Sequence, residues 1–98
     1  MTAAAFALST PAPETLAVSG ALTFATASDA LSSVRGALDQ GRQSRLDLGG
    51  LTTSDSAGLA TVLAVLAHSR TQGRVLTVEN IPAGMHALAR VSGVDSFL

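Results

Sequence analysis

Two short runs near the start of the chain alternate between apolar and polar positions. Ala5–Ser9 and Thr15–Ser19 each place their larger apolar side chains on one side, which is the period of a half-buried strand. Pro11–Glu14 lies between them and contains two prolines, a composition typical of a turn. The pattern therefore predicts a β-hairpin whose second strand ends at Gly20.

Three later segments repeat apolar residues at every third or fourth position, as one buried helix face requires. The first, Thr26–Gln40, is followed by a glycine that would stop a helix. The second begins at a cap within Ser54–Ser56 and runs to about Gln72. The third, Ile81–Gly93, opens with Pro82, and proline is tolerated at the first helical position.

Two apolar runs between the predicted helices predict strands, at Arg45–Leu48 and Arg74–Glu79, with Gly49–Thr53 as a loop. The element order is then β-β-α-β-α-β-α. A hairpin followed by alternating helices and strands predicts an α/β fold, with a mixed four-stranded sheet packed with helices. Because 98 residues leave no room for a second core, we expect one domain over residues 1–98.

The composition favours a folded chain that binds protein. Hydrophobic residues make up 47% and charged residues 13% of the sequence, which excludes intrinsic disorder and suggests more apolar surface than one small core can hide. All six basic residues are scattered arginines and the net charge is -1, so nucleic acid is not an expected ligand. Without cysteine, disulfides, thiolate zinc sites and thiol catalysis are excluded.

A cytoplasmic location is the expectation from the same composition. No basic residue precedes the first apolar run, as a secretory signal would require. The longest weakly polar stretch, Ala57–Ala67, is shorter than the roughly 20 residues that span a bilayer. His68 and His86, the two histidines, are far apart in the sequence, so we expect neither a metal site nor a cofactor.

Catalysis is not expected either. The glycine-rich phosphate-binding motifs of nucleotide enzymes are absent. Asp55, Ser56 and His68 are the residue types of a hydrolase triad. However, Ser56 begins the second helix and His68 lies roughly 18 Å further along its axis. A nucleophile and its base must be within hydrogen-bond reach.

The most informative segment is Asp55–Leu59, a polar helix start that follows a short strand and a loop. A hydroxyl at Ser56 can cap the helix, or carry a phosphate that the helix dipole and free N–H groups would stabilise. Gly58 lets another backbone approach the first turn closely. Serine and aspartate are also common helix caps, so local physics leaves a purely structural role open.

The second helix also predicts a surface for a partner. With Leu59, Val62, Leu63 and Leu66 facing the core, the opposite face carries Ala57, Thr61, Val65, His68 and Gln72. That face is neutral and small, as a helix-on-protein contact requires, although simple exposure in an alanine-rich chain is the alternative. On this assignment Val65→Glu would leave the fold intact and weaken partner binding.

Asp47-Leu48 followed by Asp55-Ser56-Ala57-Gly58-Leu59 resembles the signature of STAS domains, the family of anti-sigma-factor antagonists and sulfate-transporter C-terminal domains. The resemblance covers nearly the whole chain. Val18–Leu22 is similar to the end of the family's second strand, Arg74–Val78 to its last strand, and Ile81–Leu98 to its closing helix and tail.

The resemblance implies one of two roles. In the antagonist branch the serine at the position of Ser56 is phosphorylated by a partner-binding kinase, and phosphate switches binding off. In the MlaB-like branch the chain is a small subunit of the Mla phospholipid-transport ABC transporter, with the matching hydroxyl at the contact with the ATPase. Ser56 would be a partner-binding residue in the transporter branch and the phosphoacceptor in the antagonist branch. Together with the helix face described above, the predicted partner-binding residues are Asp55, Ala57, Gly58, Thr61, Val65 and His68.

Three features favour the transporter branch. The closing segment Ile81–Leu98 resembles the MlaB-like ending, the chain is short and rich in alanine and leucine, and Thr23 stands where antagonists often have an acidic residue. We therefore expect a non-catalytic subunit that supports the cytoplasmic ATPase of a transporter maintaining outer-membrane lipid asymmetry. It would meet the inner membrane only through that partner. The alternative is an antagonist regulated by phosphorylation of Ser56, with an anti-sigma factor or serine kinase as partner.

Overall fold

Four strands and three helices follow one another in the predicted β-β-α-β-α-β-α order. The computed structural model describes residues 5–98, so the first four residues of the predicted domain lie outside the described part. A short 3₁₀ turn, Asp95–Phe97, follows the last helix. The elements are β1 (Phe6–Ala12), β2 (Thr15–Leu22), α1 (Ala27–Gln40), β3 (Arg45–Ser54), α2 (Ser56–Thr71), β4 (Thr77–Glu79) and α3 (Ala83–Val91).

The strands form one mixed sheet in the order β1-β2-β3-β4. β1 pairs antiparallel with β2, whereas β2, β3 and β4 run parallel. The prediction of a mixed four-stranded α/β fold with an antiparallel edge is thus confirmed. Because parallel strands require crossover connections, α1 and α2 both begin at the edge of the sheet where β2 and β3 end. That edge carries the candidate site.

The second hairpin strand continues past Gly20, where the sequence pattern had placed its end. Gly20 has a φ of 86° and remains inside β2, which runs to Leu22. A Cβ at this position would collide with the carbonyl oxygen of Ala5, and the next amide, that of Ala21, donates to the same oxygen at 2.8 Å. The glycine therefore permits a tight irregularity in the strand instead of ending it.

β3 is also longer than predicted. The segment Gly49–Thr53, predicted as a loop, continues the strand to Ser54 and pairs with the second half of β2. The register between these strands shifts twice, and Gly50 faces Ser19 so closely that a Cβ would lie 2.7 Å from the Ser19 Cβ. Glycine pairs that permit such close strand contact look like loop residues in a sequence. Conversely, β4 is shorter than predicted and begins at Thr77.

The core lies between one face of the sheet and the helices. α1 buries the residues its periodicity predicted, Ala30, Val34 and Leu38. Alternate residues of the central strands β2 and β3 supply the other side of this layer. The buried apolar residues are Leu16, Val18, Ala21, Leu22, Ala30, Val34, Leu38, Leu46, Leu48, Leu59, Val62, Val65, Met85 and Ala89.

The predicted core face of α2 is confirmed at Leu59 and Val62, which are buried, but the predicted exposed face is wrong. Thr61 and Val65, expected on an exposed face, are 6% and 1% exposed, whereas Leu63 and Leu66, expected in the core, are half-buried. At about 100° per residue, the buried face is turned by roughly a quarter of a turn from the prediction. The cause is that α2 packs against the sheet, α1 and α3. Its apolar residues surround the helix, so the pattern does not identify a single buried face.

Candidate functional site

The start of α2 is fixed by the carboxylate of Asp55. Asp55 is the N-cap residue, with extended backbone, and its Oδ1 accepts a hydrogen bond of 3.0 Å from the amide of Gly58. Its Oδ2 accepts a second bond of 3.0 Å from the amide of Phe24, in the connection between β2 and α1. One carboxylate thus caps the helix and joins the two connections at this edge of the sheet.

The same two hydrogen bonds determine the charge at the site. The Phe24 amide, and after it the Gly58 amide, hold the pKa of the Asp55 carboxyl below its ordinary value of 3.8. Hydrogen bonds to the ionised form stabilise it. Asp55 is therefore an anion at neutral pH, next to Ser56.

Gly58 allows the first turn of α2 to lie directly on the end of β2. It is buried, and a Cβ on Gly58 would collide with the carbonyl oxygen of Leu22. The sequence pattern predicted that another backbone could approach here, and the backbone that does so is the chain's own. The structural contact gives Gly58 a role that requires no partner.

Ser56 is exposed and is the first residue of α2. Ala57 beside it is half-buried. Ser56 lies on the side of α2 opposite the buried residues, together with Ala60, Leu63 and Ala67, and we call these four residues the outward face of α2. Ala60 and Ala67 are exposed and Leu63 is half-buried. The outward face is uncharged for three turns, until Arg70.

Thr61, Val65 and His68, which the sequence pattern placed with Ser56, lie elsewhere. The Thr61 hydroxyl donates to the Ala57 carbonyl oxygen at 2.8 Å, so its polar group is satisfied within α2. The His68 Nε2 lies 2.9 Å from Asp39 Oδ1 on α1, and the histidine side chain is 13% exposed. This stripe of α2 therefore packs towards α1. The predicted exposure of these residues, on which their partner-binding role rested, is wrong in the folded chain.

Phe24 is a residue that the sequence reasoning missed. Its side chain is 85% exposed, and its amide is held by Asp55, next to Ser56. The signal in the sequence was an isolated aromatic residue between a strand and a helix, in a chain with only three aromatics. Hydrophobic periodicity could not reveal it, because Phe24 belongs to neither element.

The connection that carries Phe24 is fixed by Thr26, the residue before α1. The Thr26 hydroxyl donates to the Ala21 carbonyl oxygen at 3.0 Å and accepts from the Thr23 amide at 2.9 Å. Thr26 is the N-cap residue of α1, but its side chain makes no capping hydrogen bond to the helix, because its hydroxyl is used to fold this connection. Thr26 is buried as a result.

Other kinds of site are not seen in the described residues. Between residues 5 and 98, no three His, Asp or Glu side chains are grouped so as to hold a metal ion. None of the helices in this part of the chain has the length and apolar character needed to cross a membrane. A cleft of about 270 Å³ adjoins the far end of the outward face and is lined by Leu63, Leu66, Ala67, Arg70, Val94 and Phe97.

Comparisons with known proteins agree with this architecture. A family model described as "Mlab, STAS domain" matches residues 7–98. The structure is similar to that of the anti-sigma factor antagonist SpoIIAA in its unphosphorylated form, with a TM-score of 0.71 and 20% identity over 95% of this chain and 84% of that chain. The Bacillus cell fate determinant SpoIIAA in the phosphorylated form gives 0.68 and 21% over 95% and 87%. No match was found among curated proteins. At these identities the two SpoIIAA structures bear on the fold alone.

Proposed function

This chain belongs to the MlaB-type STAS domain family, and we propose that it is a subunit that binds and supports the cytoplasmic ATPase of a phospholipid-transport ABC transporter. STAS domains are binding and regulatory domains that act through partner proteins. In this role the chain performs no catalysis and reaches the inner membrane only through the ATPase. The transporter would maintain the lipid asymmetry of the outer membrane.

The observation that carries the proposal is the exposed, uncharged surface at and after Ser56. A helix face in contact with water alone is ordinarily rich in charged residues. The outward face of α2 instead presents one hydroxyl, two alanines and one leucine. Charged residues are depleted at the centre of protein interfaces, so this composition fits a contact with another protein. The description of the matching family model supports the ATPase as that protein.

The test is a charge placed at Ser56. Because Ser56 is exposed, Ser56→Arg leaves the core untouched, and we expect an unchanged melting temperature. A buried unpaired charge at an interface costs several kcal/mol, so the affinity for the ATPase should fall at least 100-fold, on the order of 3 kcal/mol. Affinity is measured by biolayer interferometry on the purified ATPase, and stability by circular dichroism.

Ser33→Arg is the matched control, because Ser33 is an exposed serine on α1. It introduces the same side chain on a neighbouring helix and should leave the affinity within a factor of about three. Equal affinities for wild type and Ser56→Arg would remove Ser56 from the interface. If the wild-type chain itself does not bind the ATPase, the transporter role is wrong.

A second candidate is an anti-sigma-factor antagonist controlled by phosphorylation of Ser56. The exposed hydroxyl at the start of α2 is accessible to a kinase, and a helix N-terminus favours a negative group. The phosphate would, however, lie beside the Asp55 carboxylate, which already accepts a hydrogen bond from the Gly58 amide. A pull-down from native cells distinguishes the roles, since an antagonist would return a serine kinase and carry one phosphate on Ser56 by intact mass.

A further inference from the structure

Phe24 projects from the same edge of the sheet as Ser56. Its backbone amide is bonded to Asp55, the residue before Ser56, and its ring is 85% exposed. Large aromatic side chains in fixed positions supply much of the binding energy of protein interfaces, whereas most contacts around them contribute little. Phe6 also lies at this end of the sheet, opposite Gly20, but it is half-buried and packs against the core. Phe97 lies in the final turn, so Phe24 is the exposed aromatic residue among those described at this edge.

The backbone that carries Phe24 is already ordered in the free chain. Asp55 holds the Phe24 amide, and Thr26 holds the Thr23 amide and the Ala21 carbonyl. These three hydrogen bonds from two side chains therefore fix a connection of only four residues between β2 and α1. A segment presented in its bound conformation loses little conformational entropy on association, so the backbone that carries the ring is ordered in advance for a partner.

Among the described residues, the charged side chains at the starts of the two helices that begin next to Phe24 are of one sign. Asp29 lies in the first turn of α1 and Asp55 caps α2, and no lysine or arginine occurs between Leu46 and Ser69 or between residues 15 and 34. The arginines lie towards the opposite ends of these elements, as Arg45 begins β3 and Arg70 lies in the last turn of α2. The edge with Ser56 and Phe24 is therefore acidic, which fits a basic partner surface and opposes contact with anionic lipid.

We propose that Phe24 is the aromatic anchor of the interface around Ser56, inserted into an apolar recess of a protein partner whose rim carries lysine or arginine facing Asp29 and Asp55. The inference rests on the proposed function in taking the transporter ATPase as that protein. It adds a second, chemically different contact to the outward face of α2. It also assigns a sign to the charge of the ATPase surface.

Phe24→Ala tests the anchor. Because the ring is exposed, the melting temperature should stay within about two degrees of wild type, while affinity for the purified ATPase should fall about 30-fold or more. Val75→Ala is the matched control, since Val75 is 87% exposed and lies beyond the other end of α2, and it should change the affinity less than about threefold. Phe24→Leu, which keeps the apolar bulk, should recover part of the loss.

The charge is tested separately by Asp29→Lys, which should slow association several-fold at low salt and flatten the salt dependence of the rate. Asp95→Lys, in the final turn, is the control for this change.

An unaltered affinity in Phe24→Ala, with the wild-type chain still binding the ATPase, would overturn the anchor and leave the proposed function standing. Binding of Phe24-containing chain, but not Phe24→Ala, to phosphatidylglycerol vesicles would overturn the assignment to a protein. Failure of wild type to bind the ATPase would instead overturn the proposed function.

Discussion

α1 and α2 are neighbouring helices of similar length, yet they encode their buried faces differently. α1 buries Ala30, Val34 and Leu38 and exposes charged side chains at Asp29, Arg35 and others. α2 buries Thr61, Val62 and Val65 but exposes serine and alanine. In α1 the charged residues identify the solvent-facing side, so the sequence pattern alone assigns the buried face. In α2 no charged residue precedes Arg70, so the pattern does not identify a solvent-facing side.

The difference teaches that α2 is apolar on more sides than the chain itself covers. A helix that is apolar all round is ordinarily buried all round. Here the sheet, α1 and α3 pack against α2, while Ser56, Ala60 and Ala67 of the outward face stay exposed and Leu63 is half-buried. Because charged residues are absent from most of α2, its buried face cannot be assigned from the sequence. The same absence indicates which surface is available to a partner.

The largest expected effect is the difference in stability between a charge introduced on the buried side of α2 and a charge introduced on its exposed side. Val65→Asp places a carboxylate at a position that is 1% exposed, and a buried unpaired charge together with the lost packing should cost about 4 kcal/mol or more. For a domain of this size that is most of the stability. Ala60→Asp, on the exposed outward face, should change stability by less than about 0.5 kcal/mol.

Urea unfolding followed by circular dichroism measures both variants. A folded Val65→Asp variant with near-wild-type stability would restore the exposed face that the periodicity predicted. Ala60→Asp is expected to weaken ATPase binding instead, which separates the two sides of the helix by readout as well as by size.

Glycine gives the next comparison, because each helix contains one. Gly58 in α2 lies against the Leu22 carbonyl, whereas a Cβ on Gly36 in α1 would meet no atom within 4 Å. Gly58→Ala forces the helix off the sheet and should destabilise by about 1–3 kcal/mol. Gly36→Ala should stabilise by about 0.5–1 kcal/mol, through a lower entropy of the unfolded chain.

Thermal unfolding of the two single variants checks the signs. Two stabilising substitutions would mean that α2 can move away from β2 without loss. In that case the close contact between Gly58 and the Leu22 carbonyl would not be needed to hold α2 at the end of β2.

Most of the fold was predictable from the sequence, because the elements alternate and most have clear periodicity. The strand from Gly49 to Ser54 was not, because its glycines suit close strand pairing as well as a loop. The position of Ser56 at a helix start was predictable from the capping residues around it. The site's link to Phe24 was not, because a hydrogen bond spanning 31 residues leaves no local pattern.

The two helix caps differ in their response to acid. The cap of α2 is Asp55, whose pKa is lowered by the amides of Phe24 and Gly58, whereas Thr26 before α1 does not titrate. Because the pKa is lower in the folded chain, the unfolded chain binds the proton at a higher pH than the folded chain does. The stability that the Asp55 carboxylate contributes is therefore fully present above about pH 4. It is lost as pH falls through the folded-state pKa. Asp47, held by Asn80 and Gly49, follows the same rule.

The measurement is the unfolding free energy from pH 6 to pH 2 for wild type and for Asp55→Asn. We expect the variant to be less stable near neutrality, and to lose less stability on acidification. Thr26→Val should lower stability by a similar amount at every pH. Parallel curves for wild type and Asp55→Asn would show that the carboxylate does not hold the two connections together.

The smallest expected effect concerns the side-chain hydrogen bond that joins the two helices. His68 Nε2 lies 2.9 Å from Asp39 Oδ1, with the aspartate half exposed, and partly exposed contacts of this kind contribute about 0.2–1 kcal/mol. A double-mutant cycle with Asp39→Asn and His68→Gln should give a coupling energy in that range. Because His68 turns towards α1, neither change should alter ATPase affinity more than about threefold. A larger loss of affinity at unchanged stability would return His68 to the interface, and would mean that the partner reaches around α2 to the α1 side.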